Sequence, residues 1–260
     1  MKKQIIKNIV NWLIDKLVFQ HFIFLLLAIT SVWLFKERLF ADSGYYIFKV
    51  VNQESFWVEH SRYILILSQL LPYLAVKLGL GLKTVLLAYT INHVLFPYLV
   101  FLICRYIFKN NYAGLLIIGL QTVGISHGFF APMFELYYGS YLLVLFAVVL
   151  SSNHSHKLVI NCILSIVILL SHPLAFILLA LILVYHFLAS ESKNWVQYTP
   201  FIGIIICILI FKKITASEYE ISKTQGFINA LKTLSFDFQY FKDLCQYLLK
   251  HYWGMLLLVI

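Results

Sequence analysis

The residues able to do acid–base or ligand chemistry in this chain are few and grouped. Of 260 residues only 11 are Asp or Glu, and four of these (Glu37, Asp42, Glu54 and Glu59) lie in the polar stretch Lys36–Arg62. Between His60 and Ser190 the one carboxylate is Glu135. A carboxylate can take the proton from an attacking hydroxyl or offer hard oxygen ligands to a divalent cation. Asp42 and Glu135 are therefore the candidate catalytic residues. The run Glu59-His60-Ser61-Arg62 ends in a guanidinium whose planar fork suits phosphate oxygens. Arg62, Glu59 and His60, with Gln69 and His172, make up the candidate substrate-binding set. Each also has a plainer reading. Asp42 is a preferred N-cap for an amphipathic helix over 45–56, Glu135 is a loop glutamate, Arg62 is an interfacial anchor, and His172-Pro173 is a turn.

Composition says what must hold these residues. Hydrophobic residues make up 62% and charged residues 12%, against about 25% charged in an average globular domain. Mean hydropathy is +0.87. Several apolar runs approach the ~20 residues that cross a bilayer core, and the ~10-residue alternation of a membrane β-barrel is absent. The expected fold is all-α, a polytopic transmembrane helical bundle forming one domain over 1–260. The net charge of +9 is explained by lysines that flank spans and meet lipid headgroups. The lipid bilayer is thus the expected partner, and a nucleic acid is not. Cys104, Cys162, Cys207 and Cys245 show no CxxC spacing and read as packing residues.

The expected spans are 17–35, 84–104, 112–130, 139–152, 158–171, 174–189 and 198–211. A basic N-terminus (Lys2, Lys3, Lys7, Lys16) places the start of the chain in the cytoplasm. The segment 63–82 carries Arg62 at its edge and Gln69, Pro72 and Lys77 within it, a heavy polar load for a lipid-facing span. If it lies at the outer interface, then Arg105, Lys109, Lys157 and Lys193 all face the cytoplasm, as the positive-inside rule asks. On that reading 36–83 is an extracytoplasmic loop with amphipathic interfacial helices. Asp42, Glu135 and His172 then share the outer side. The apolar stretch interrupted at His172-Pro173 runs about 32 residues, roughly 48 Å as helix, too long for one span, so a hairpin turn is expected there. Residues 212–250 form a second polar loop. The apolar run from Tyr252 stops after nine residues at Ile260, which reads as the N-terminal part of a longer chain.

Other polar groups call for no chemistry. Asn92-His93 and Ser126-His127 lie in apolar runs, where helix–helix hydrogen bonds are the expected use. Asn153-His154-Ser155-His156 offers two histidines on the cytoplasmic side, too few for a metal site. The absence of P-loop, GxSxG, HExxH and dinucleotide fingerprints leaves soluble nucleotide chemistry unsupported.

The first span ending in LFADSGYY, then interfacial helices with Arg62, Gln69-Leu70-Leu71-Pro72 and Leu78-Gly79, resembles the first outer loop of the GT-C superfamily of membrane glycosyltransferases. The segment 129–141 resembles their second outer loop. These enzymes take sugars from polyprenyl-phosphate carriers. The resemblance implies a multi-pass enzyme of the bacterial inner membrane, with Asp42 as catalytic base or metal ligand and Glu135 second. A cofactor, if one is used, would be a divalent cation, Mg or Mn, held by Asp42 and Glu135. Asp42 is followed by Ser43 rather than a second acid, and Glu135 lies outside a DxD, so the metal stays open. Two other classes fit the composition. One is a transporter or flippase for a lipid-linked or small polar substrate, with helices broken at Pro72, Pro97 and Pro173. The other is a non-catalytic membrane assembly subunit.

Overall fold

A computed structural model describes residues 17–122, 129–130, 132, 135–191, 193–233 and 238–259. Ser126, His127 and the N-terminal lysines lie outside the described residues. Among the described residues there are helices and no strands. In chain order they are α1 (Leu17–Trp33), a 3-10 turn at Glu37–Leu39, α2 (Asp42–Gln53), α3 (Leu65–Lys77), α4 (Leu82–Leu102) and α5 (Asn111–Thr122). Then follow α6 (Glu135–Leu150), α7 (Lys157–Leu169), α8 (Leu174–Ala189), α9 (Thr199–Ile214), α10 (Glu218–Thr233) and α11 (Phe238–Val259).

The core is built around α6, which buries most of its residues, including Tyr138, Tyr141, Leu142, Phe146 and Val149. Phe101 of α4, Ile117 of α5, Ile168 of α7, Leu179 of α8 and Phe201 of α9 pack around it. The outward faces are as apolar as the core: Phe22, Leu25 and Ile29 on α1, Ile177 and Leu181 on α8, and Ile202 and Ile206 on α9 are exposed. Exposed apolar area of this kind marks contact with a partner protein, a ligand or a membrane. Two helical stretches, Leu82–Ile107 and Trp195–Ile214, are long and apolar enough to cross a membrane. The other apolar helices are shorter.

Backbone groups freed inside helices find side-chain partners, as a dry interior demands. Pro97 has no N–H for the carbonyl of His93, and Gln121 Nε2 donates to that oxygen at 3.1 Å. Asn92 inserts into the ladder of α3: its Nδ2 donates to Leu67 O at 2.9 Å while its Oδ1 accepts from Leu71 N at 3.4 Å. The expected interhelical use of Asn92-His93 is thus what the structure shows, with His93 Nδ1 also meeting the Tyr138 hydroxyl at 2.5 Å.

Three sequence expectations change in detail. The helix expected over 45–56 begins at Asp42, and its N-cap is Ala41 with no side-chain cap. Asp42 therefore adds a negative charge to the helix's first turn without capping it. Gly44 is required there, because a Cβ would stand 2.6 Å from Leu39 O. The segment 63–82 contains a helix of 13 residues, about 20 Å long against a ~30 Å core. The region 212–250, expected as a loop, is largely the two helices α10 and α11. A reciprocal capping box starts α10, with Glu220 N donating to Ser217 Oγ and Ser217 N donating to Glu220 Oε2, both at 3.3 Å.

Candidate functional site

Four chain segments far apart in sequence meet at one end of the bundle. Arg62 Nη1 donates to Glu135 Oε1 at 2.8 Å, with side chains 16% and 6% exposed. This joins the polar stretch to the start of α6. The 170–173 turn between α7 and α8 brings in His172, whose surroundings include the charges of Arg62, Glu135 and Lys212. Lys212, in the last turn of α9, is the fourth member. Its Nζ is sealed from solvent with no hydrogen-bond partner, and Glu220, Arg62 and Glu135 are the charges around it.

The polar stretch is clamped from three sides. Gln69 is fully buried and holds the backbone of Trp57 in both directions, accepting from Trp57 N and donating to Trp57 O, each at 2.7 Å. Glu59 Oε1 accepts from Tyr45 Oη at 2.6 Å and Trp57 Nε1 at 2.9 Å. The start of α10 docks through His60 Nδ1 and Ser217 Oγ at 2.9 Å, through Ser61 Oγ donating to Thr215 Oγ1 at 3.1 Å, and through the His60 ring stacked on Tyr219 at 4.7 Å. His60 and Ser61 both take φ of 53° directly before Arg62, and Ala41 takes 51° directly before Asp42. Non-glycine residues in this region cost about 1–3 kcal/mol each and collect at functional positions.

Electrostatics follows from this packing. Burial alone would lower the Arg62 pKa, and the charge and hydrogen bond of Glu135 reverse that and raise it. Burial lowers the His172 pKa, and nearby Arg62 and Lys212 push the same way against Glu135. Burial would raise the Glu59 pKa, but the hydrogen bonds from Tyr45 and Trp57 and the charges of His60 and Lys49 bring it below the ordinary carboxylate value. Tyr46 lies among these groups: burial raises its pKa most, and Glu135, Glu59 and Asp42 add to the rise while Arg62 opposes it. One buried phenol thus has Asp42, Glu59, Arg62 and Glu135 as its charged surroundings.

The structure therefore brings Arg62, Glu135 and His172 together and adds Lys212. Asp42 is exposed on the first turn of α2, one turn from Tyr46. Glu59 and Gln69 support the polar stretch from within, and His60 receives α10. Lys212 had a signal in the sequence. Lys212-Lys213 follows the apolar run 198–211, whose end is expected from the sequence on the outer side, where the positive-inside rule asks for few cations. The capping pattern Ser217-x-x-Glu220 was legible too. The opposite end is set by the Phe108–His154 ring contact at 6.0 Å and by Lys157 Nζ donating to Ser152 O at 3.2 Å.

These residues do not by themselves form a cage for a divalent cation. Among the described residues no group of three or more His, Cys, Asp or Glu could hold one. Glu135, moreover, is already engaged by a guanidinium. What the site offers is the carboxylate of Glu135 beside Arg62 and the unpartnered ammonium of Lys212, suited to a substrate with both a hydroxyl to deprotonate and an anion to hold. Comparisons with protein-family models, with curated proteins and with solved structures find no match.

Proposed function

We propose that this chain is an integral membrane glycosyltransferase, multi-pass, with its N-terminus in the cytoplasm, that moves a sugar from a polyprenyl-phosphate donor to an extracytoplasmic acceptor. The observation that carries the reading is the convergence of Arg62, Glu135, His172 and Lys212, with exposed Asp42 alongside, at one end of a helical bundle whose outward faces are apolar. The bundle's other end carries Arg105, Lys109, Lys157 and Lys193 in and beside its short connections, which makes it the cytoplasmic end under the positive-inside rule.

The chemistry needs no further group. The acceptor hydroxyl attacks the anomeric carbon as its proton passes to the exposed first-loop carboxylate, Asp42. The bond from that carbon to the phosphate oxygen breaks, and its electron pair leaves with the lipid phosphate. The cations Arg62 and Lys212 stabilise the charge that develops there. Lys212 is suited to this because its ammonium has no partner of its own. A lipid carrier also accounts for the setting. An apolar groove of about 250 Å³ between α1 and α4, lined by Phe24, Leu25, Ala28, Ile91, Val94 and Leu95, suits an isoprenoid chain.

The test is transfer by the purified full chain in proteoliposomes supplied with synthetic polyprenyl-phosphate sugars and hydroxyl acceptors. Asp42→Asn is expected to abolish transfer while the protein remains inserted, and full activity in that variant would sink the assignment. Impermeant labelling of single cysteines placed at 42, which is exposed, and at 108 checks the orientation. Position 42 is expected to react and 108 to be protected, and the reverse result overturns it.

A further inference from the structure

Beneath the candidate site lies a charge that the transfer chemistry does not use. Arg38 is 1% exposed. It is held by Ser31 Oγ of α1, by Thr90 O of α4 at 3.2 Å, and by the face of Phe129, whose ring centre lies 4.2 Å from the guanidinium carbon. None of these is anionic. The groups in electrostatic contact with Arg38 are the phenols of Tyr89, Tyr138 and Tyr141 and the His93 ring. Burial lowers the Arg38 pKa to about 10, which leaves the guanidinium charged at neutral pH. The sequence around Phe129, from Val123 to Phe134, holds no acid.

The hydrogen-bond directions sharpen this. Asn92 Nδ2 donates to Tyr138 Oη at 3.3 Å, so the phenolic proton is free to go to His93 Nδ1, 2.5 Å away. In the tautomer whose Nδ1 accepts from that phenol, neutral His93 carries its proton on Nε2, which has no hydrogen-bond partner among the described residues. Arg38 Nε likewise has none. In that tautomer two buried N–H donors stand unpaired in the field of a buried cation that has no anionic partner among the described residues. Each unsatisfied donor lowers stability, and an unpaired buried charge lowers it further. A water molecule would satisfy the donors and leave the charge. An anion satisfies both.

We propose that Arg38 and His93 form an internal binding site for a compact monovalent anion of halide class, closed in this conformation by the Phe129 ring over the guanidinium. Both donors are sealed from solvent, so the occupant is small and enters as that ring moves aside. This site is distinct from the Arg62–Glu135 pair and does not depend on the transferase reading.

The experiment is thermal unfolding of the full chain in detergent, in sodium chloride, bromide, phosphate or gluconate at fixed ionic strength. Wild type is expected to melt about 4 °C or more higher in chloride or bromide than in gluconate. Arg38→Gln should lose that difference. Should Arg38→Gln fail to fold, Phe129→Ala, which keeps the cation and removes its cover, should reach half of the chloride effect at about threefold lower concentration. Equal melting of wild type in all four salts overturns the proposal, as water would then suffice. An undiminished chloride effect in Arg38→Gln overturns it as well. Stabilisation by phosphate alone would replace the halide with a phosphate-bearing ligand and overturn the assignment of class.

Discussion

Breaking the Arg62–Glu135 contact separates its structural from its chemical part. The two oppositely charged atoms lie 2.8 Å apart, and the glutamate side chain is 6% exposed. Removing one partner of a buried pair costs about 3–5 kcal/mol, because the other charge stays buried, whereas replacing both with apolar groups of similar size is often near neutral. Arg62 is 16% exposed, so the lower end applies and Glu135→Leu should cost about 3 kcal/mol. That is about 6–12 °C in Tm for a chain of this size. Arg62→Met should cost less, because the unpartnered ammonium of Lys212 remains in the field of Glu135. The double variant should come back to within about 1 kcal/mol of wild type, a coupling of roughly 3 kcal/mol between the two positions. Denaturant and thermal unfolding in detergent read these values, and transfer assays on the same four proteins read the chemistry. Additivity of the two single changes within about 0.5 kcal/mol would refute the ion pair as a stabilising contact. A stable double variant with full transfer would remove Glu135 and Arg62 from the mechanism.

Two further outcomes follow from the same geometry. His172 binds fewer protons folded than unfolded, so its contribution to stability is fully present above its ordinary pKa of 6.5 and is lost as pH falls from there through the lowered folded value. Nuclear magnetic resonance titration of the His172 ring should show that lowered value moving up in Lys212→Met, which takes away one of the two cations, and an unchanged titration would place Lys212 outside the cluster. Gly139, one turn past Glu135, faces the His172 turn so closely that a Cβ would lie 2.8 Å from Ser171 Oγ. Gly139→Ala should force α6 and the turn apart, cost about 1–3 kcal/mol in unfolding experiments and raise the His172 pKa as Arg62 recedes. Wild-type stability would show that Ser171 yields without moving the turn.

The helices were legible because apolar runs and their breaks are local signals. Pro173 and the polar group before it end α7 and start α8 where the length argument requires a turn. The short helix α3 was legible from its polar load, and the structure explains that load: Gln69 holds Trp57. Asn92 of α4 supports the α3 backbone in turn. Pairing across the fold was not legible. No spacing in the sequence says that Arg62 meets Glu135, 73 positions away, or that α10 begins against His60. The start of α2 was misplaced by three residues because an aspartate before an amphipathic segment normally caps it. Here Ala41 takes a left-handed φ and becomes the cap. Arg38 was passed over because it sits among charged neighbours in sequence, and only the packing of α1, α4 and α6 separates it from them.

The two ends of the bundle obey different rules, and the contrast carries the functional argument. At the end with Lys157 and Lys193, the cations cap exposed carbonyls, as Lys193 Nζ does with Phe187 O at 3.2 Å, and stability alone explains them. At the other end, four of the six described non-glycine residues with positive φ fall between Ala41 and Ser61. There too lie an ammonium without a partner at Lys212 and a guanidinium without a counter-ion at Arg38. Each of these features costs stability, which local contacts such as those of Arg38 with Ser31, Thr90 and Phe129 offset in part. Four positive-φ positions and two unpartnered cationic groups gathered at one end are the expected mark of a site shaped by a ligand. Unpartnered Lys212 Nζ and Arg38 Nε both belong to cations, and a phosphate-linked donor at the mouth and a small anion beneath it would each supply the matching charge.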